Sequence, residues 1–186
     1  MISIDYAILH FYHNLAVATH GFLTPFMNFV SASCNLRSGY PIVIFAIILL
    51  CFKKTRKMGI GVLVAILLCQ IFQEQLLKRL IARARPYNSG NATLVSWWKY
   101  VGSVSEGKTY SCPSGHATTM MATMMVMFLM TRKKYSWLFI LTAIIIGISR
   151  NYLMVHYPSD VLLGWIVGGL IGYLTYRLMT YKKIQE

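Results

Sequence analysis

The chain is divided into long, nearly uncharged apolar stretches, and this alone restricts how it can fold. Four of them, over residues 58–77, 114–130, 135–148 with its flanks and 161–178, approach the roughly 20 residues a helix needs to cross a bilayer. A fifth, 40–52, is shorter but extends back through Ser38 and Gly39. Only 12% of the residues are charged, against about 25% in a soluble domain. With no water in the hydrocarbon to satisfy backbone groups, such segments must be helical.

These runs predict an all-α integral membrane protein, a bundle of five to six transmembrane helices preceded by N-terminal interfacial helices. Residues 4–18 mix Asp5, His10, His13 and Asn14 with apolar residues at helical spacing, the pattern of a helix lying in the interface. Residues 22–30 form a half-span or the start of a tilted helix. One domain covers 1–186, with 1–33 interfacial or partly spanning and 87–111 as an outer loop. The start of the sequence lacks a signal-peptide pattern, so internal helices are expected to direct insertion.

The net charge is +13, from 18 Lys and Arg against five acids. That balance suits nucleic acid, an anionic membrane or a phosphorylated substrate. So little soluble surface argues against nucleic acid. The basic groups Lys53, Lys54, Arg56 and Lys57, then Arg132, Lys133 and Lys134, then Lys182 and Lys183 fall on one side if there are five spans. By the positive-inside rule that side is the cytoplasm. The expectation is a multi-pass protein of the inner (plasma) membrane whose remaining polar clusters face the periplasm or cell exterior. The four cysteines show no CxxC spacing, which argues against zinc or redox motifs. The break from Tyr87 to Cys112 reads as a structureless loop, either a lid or an interfacial anchor, with Trp97, Trp98 and Tyr100 suited to the headgroup layer.

Three polar clusters interrupt the apolar chain. Lys78 and Arg85 lie seven residues apart, about two helical turns, so both can face one way before Pro86 limits the helix. An arginine grips phosphate oxygens bidentately and a lysine acts as a point charge. In Pro113-Ser114-Gly115-His116, Ser114 suits an N-cap and Gly115 permits close backbone approach. Amides there can hold an anion, and His116 can donate a proton to a leaving oxygen. The third cluster runs from Ser149-Arg150 to His156 and Asp160. Asp160 would cap the last span and hold the His156 imidazole, freeing its other nitrogen as a nucleophile. Taken singly, the clusters have plain readings as snorkelling cations or helix caps. Glu74 is placed to pair with Lys78 at i,i+4, and the methionines from Met120 to Met130 suit helix packing or acyl-chain lining.

In order, the clusters resemble the signature of the type 2 phosphatidic acid phosphatase superfamily, K-x6-RP, PSGH and SR-x5-H-x3-D, with both internal spacings matched. The resemblance implies that His156 attacks phosphorus to form a phosphohistidine, Asp160 orients it, and His116 protonates the leaving group and later activates water. It implies that Lys78, Arg85, Ser114, Gly115 and Arg150 hold the phosphoryl oxygens, with no metal and no cofactor. The expected partner is a membrane lipid phosphate, with undecaprenyl diphosphate favoured and phosphatidylglycerophosphate second. Phosphatidic acid and lipid A phosphates are further alternatives, as is a lipid phosphotransferase. A non-catalytic phospholipid binder would not need an oriented imidazole.

Overall fold

The computed structural model describes residues 3–32, 41–107, 109–131 and 133–181, and among these no strand occurs. Ser38 and Gly39, by which the 40–52 run is extended, and Arg132, Lys182 and Lys183 lie outside the described residues, as does Cys34, one of the four cysteines. Helices α1 (Ser3–Ala18), α2 (Thr24–Ala32) and α3 (Pro41–Cys51) precede α4 (Arg56–Cys69), which continues as a π-helix over Gln70–Leu77 and a last turn α5 (Lys78–Ile81). A 3-10 turn (Pro86–Asn88) leads to α6 (Ala92–Val101), then α7 (Gly115–Thr131), α8 (Trp137–Tyr152) and α9 (Pro158–Thr180).

Among the described residues, two stretches, Arg56–Asn88 and Pro158–Thr180, are long and apolar enough to cross a membrane, and Pro41–Cys51 and Trp137–Tyr152 are shorter apolar helices. Their outward faces carry exposed Ile44, Ile48, Leu67, Phe72, Leu162, Ile166 and Leu170. Helices that are apolar both inside and outside belong against acyl chains.

Helix α7 runs through the middle, packed on α4, α8 and α9. Met120, Met121, Met124 and Met127 are buried there against Val62 and Ile66 of α4, Ala143 and Ile146 of α8, and Ile171 of α9. Those methionines are therefore packing residues. The α7–α9 contact is set by glycines. A Cβ at Gly164 would lie 3.0 Å from the Ser114 carbonyl, one at Gly168 2.3 Å from the Thr118 carbonyl, and one at Gly172 2.5 Å from the Ala122 carbonyl. Small residues at four-residue intervals let two helix backbones touch.

A second apolar cluster caps one end of the bundle. Leu9 and Ala16 of α1 meet Leu94, Trp97 and Val101 of α6 and the Tyr152–Val155 segment at the end of α8. Here the structure corrects the reading of 87–111 as a structureless loop. The Asn91 side chain accepts from the Thr93 and Leu94 amides and opens α6, Leu94, Trp97 and Val101 line its buried face, and left-handed Gly102 ends it. Trp97 lies inside this cap rather than at a free surface, stacked 5.2 Å from the His10 ring and 5.0 Å from that of His13. The site lies between the two apolar clusters.

Candidate active site

Each polar cluster reaches the same place by a different local device. The π-helix turns Gln73, Glu74 and Lys78 inward; such insertions recur at functional sites. Lys78 donates to Glu74 at 2.7 Å, and Gln73 donates to Glu74 at 3.0 Å and to the Pro113 carbonyl at 3.3 Å. Ala82 adopts a left-handed conformation (φ 47°) and ends α5. The chain then extends through Arg85, as a residue before proline must, and carries its guanidinium back under the cap. Arg85 donates to the Val155 carbonyl at 3.1 Å, to the Thr109 carbonyl at 3.2 Å and to His156 Nε2 at 3.2 Å. Arg150, in the last turn of α8, donates to Ser31 of α2.

The Pro113–His116 segment meets the start of α9 through the backbone, where the Ser114 amide donates to the Asp160 carbonyl at 3.0 Å. A Cβ at Gly115 would lie 2.9 Å from Glu74 Oε1, so glycine allows that close approach. Ser114 Oγ and His116 Nε2 are buried without a partner, and buried polar atoms left this way mark places where a ligand or water completes the bonding.

His156 is buried between α8 and α9. Its Nδ1 faces the Ser111 carbonyl at 2.8 Å, which fixes the tautomer with the proton on Nδ1 and the lone pair on Nε2. The direct hydrogen bond expected from Asp160 is absent. The Asp160 carboxylate stands 3.8 Å from Nδ1, because it is committed elsewhere. It accepts from the Ser111 hydroxyl, from the Tyr157 amide at 2.9 Å and from Arg83 at 2.6 Å. Asp160 thus reaches the imidazole through Ser111, and it also caps α9. Burial, then the cations Arg85, Arg150 and Lys78 and the neighbouring His116, hold the His156 pKa well below the ordinary imidazole value. The ring is neutral at pH 7.

A cavity of about 600 Å³ is walled by Lys78, Arg85, Gly115, His116 and Arg150 and reaches α2 at Asn28 and Ser31. Ser114, His156 and Asp160 lie behind that wall. Among the described residues there is no group of three His, Cys, Asp or Glu able to hold a metal ion.

Three residues escaped the sequence reading. Arg83 donates to Asp160 and, at 2.7 Å, to Asp5 of α1, while its guanidinium lies 3.9 Å above the Tyr157 ring. Asp5 also accepts from the Ser159 amide at 2.9 Å. Glu106, between α6 and α7, bridges Arg85 at 2.7 Å and Arg150. A signal existed: the sequence has only five acids, and Asp5, Glu74, Glu106 and Asp160 are all here.

The family model described as the PAP2 superfamily matches residues 58–184. An undecaprenyl-diphosphatase from Sulfolobus acidocaldarius is 34% identical over 143 residues, covering 75% of this chain and 65% of that one. A lipid A 1-phosphatase from Rhizobium etli is 38% identical over 100 residues, covering 54% and 41%. A lipid A 4'-phosphatase from Bacteroides thetaiotaomicron is 34% identical over 127 residues, covering 64% and 55%. The chain thus spans 41% to 65% of the length of these curated relatives. The fold is shared with a transmembrane PAP2-type phosphatidylglycerolphosphate phosphatase from Bacillus subtilis, with a TM-score of 0.73, 22% identity and coverage of 99% of this chain and 89% of that one. The chain belongs to the PAP2 superfamily.

Proposed function

From that membership we propose that the protein is an integral-membrane lipid phosphatase that removes a terminal phosphate through a phosphohistidine at His156. The observation that carries the reading is one cavity walled by three fixed cations and an unpartnered imidazole, with a second, neutral imidazole behind Arg85. Lys78, Arg85, Arg150, the Gly115 amide and the unpartnered Ser114 hydroxyl hold the phosphoryl oxygens. Charge developing in the transition state is met by groups already in place. The His156 Nε2 lone pair attacks phosphorus, the bond to the lipid oxygen breaks, and His116 gives that oxygen a proton. His116 then takes a proton from water, whose oxygen attacks phosphorus as the P–N bond breaks. Inorganic phosphate leaves and His156 returns neutral. Asp160 positions His156 through Ser111.

For the substrate we favour undecaprenyl diphosphate, the lipid named for the Sulfolobus relative, with phosphatidylglycerophosphate second. The site would face the periplasm or cell exterior. Lys53, Lys54 and Arg56 lie at the opposite end of the α4–α5 stretch from Lys78, and basic residues at a span's end favour the cytoplasm.

The test is phosphate release from detergent-solubilised protein offered a panel of lipid phosphates. His156→Ala should lose at least about 10³-fold in kcat, more than one oxyanion donor typically contributes, and wild type quenched in turnover should carry an acid-labile phosphoryl group that His156→Ala lacks. Near wild-type release by His156→Ala would end this assignment. Phosphate passed only to an added acceptor would make the protein a transferase.

A further inference from the structure

Glu106 has no part in the chemistry above, yet its carboxylate sits on two of the three cradle cations. One oxygen lies 2.7 Å from Arg85 Nη2 and the other contacts Arg150, whose side chains are 2% and 5% exposed. A carboxylate held between two guanidinium groups presents the oxygens a phosphoryl group would present. We infer that Glu106 is an internal occupant of the phosphate cradle, exchanging places with the phosphate of substrate and product; this rests on the phosphatase reading.

Charge makes the two occupants exclusive. Around the cavity, the cations Lys78, Arg85 and Arg150 face the carboxylates of Glu74 and Glu106, a surplus of one positive charge. Withdrawing Glu106 raises the surplus to two, which matches a phosphate carrying about −1.5 to −2 at pH 7. With Glu106 in place, a dianion would face an uncompensated like charge. Geometry agrees, because Arg85, engaged by Glu106, also donates to His156 Nε2 and the nucleophile lies outside the cavity wall.

The exchange needs only the side chain to move. The Glu106 backbone is tied down, its amide donating to the Tyr87 hydroxyl at 3.0 Å and its carbonyl accepting from Thr109 at 3.3 Å. The Glu106 side chain is 26% exposed, so rotation takes its carboxylate towards solvent. Its return would then help expel inorganic phosphate after hydrolysis.

The experiment compares wild type with Glu106→Gln and Glu106→Ala in detergent, titrated with inorganic phosphate in a calorimeter. This binding readout requires no turnover. With the competing charge removed, phosphate should bind about tenfold more tightly to either variant, within the worth of one charge-assisted hydrogen bond, and inorganic phosphate should inhibit turnover correspondingly more strongly. Unchanged or weaker phosphate binding in folded variants would overturn the inference, the weaker case making Glu106 a positioning residue for the arginines. Failure of both variants to fold would also overturn it, as a purely structural role. Tighter phosphate binding without phosphate release from any lipid by wild type would support the occupancy of the cradle and end the phosphatase reading.

Discussion

Replacing Gly168 by alanine should move the two halves of the site apart although Gly168 touches none of it. The added Cβ would lie 2.3 Å from the Thr118 carbonyl oxygen, 3.0 Å from Met121 Cβ and 3.1 Å from the Ala122 amide nitrogen. Two of those atoms are backbone, so no rotamer change relieves the contact and the helices must separate. Restoring an ordinary contact distance takes roughly 1 Å. Overpacking of this kind costs about 1–3 kcal/mol, and a 1 Å misplacement far from the chemistry can cost about 10²-fold in rate. Here α9 carries Asp160 and α7 follows directly on Ser114, tied by the Ser114 amide to Asp160 carbonyl bond. Phosphate release per folded molecule should fall about tenfold to a hundredfold, with a lower melting temperature in detergent. The control is the neighbouring residue. A Cβ at Gly169 meets only Met125 Cε, at 3.9 Å, so Gly169→Ala should keep its activity and melt no lower, since alanine favours the helix by about 1 kcal/mol. Wild-type activity and melting in Gly168→Ala would refute the glycine seam as the device that sets this register.

Other consequences follow from the buried charges. Arg83→Met and Asp5→Asn should each lower kcat about tenfold with KM little changed, because both act on Asp160 from behind the cavity wall, and Arg83→Lys should recover part of the loss. A raised KM with unchanged kcat would contradict that placement. Folded His156 resists protonation while the unfolded chain binds a proton below about pH 6.5, so stability should fall as pH drops through and below that value. The melting temperature between pH 7.5 and 5 should show this slope, and it should be shallower in His156→Asn; an equal slope would assign the effect elsewhere. With fixed cations neutralising the phosphate, EDTA should leave turnover unchanged, and inhibition reversed by a divalent ion would contradict the proposed mechanism.

Much of the catalytic vocabulary was legible in the sequence because it is written locally. The three short motifs could be read from spacing alone, but the shared helix face expected for Lys78 and Arg85 does not occur. The helix stops at Ile81, and left-handed Ala82 with the extended segment before Pro86 brings Arg85 to the site instead. The amphipathic signal of α6 was equally local, with Asn91, Leu94, Trp97, Val101 and Gly102 at cap and face positions, but the tract's many small polar residues masked it. What periodicity could not deliver was pairing at a distance. Asp5 and Arg83 are 78 positions apart, and neither announces the other. The Asp160–His156 relation failed for a different reason. Spacing places the carboxylate one turn from the ring, but only the positions of Ser111, Arg83 and the Tyr157 amide determine where its oxygens are spent.

The bond from the Ser159 amide to Asp5 joins helices 154 positions apart, and that imposes an order in time. During synthesis α1 emerges long before α9, so the Asp5 carboxylate waits for Arg83 and then for the start of α9. His156 and Asp160 arrive with that last segment. A nascent chain therefore cannot assemble this centre piecemeal, and under the proposed function a protein still being threaded into its membrane would be inert towards the lipids around it.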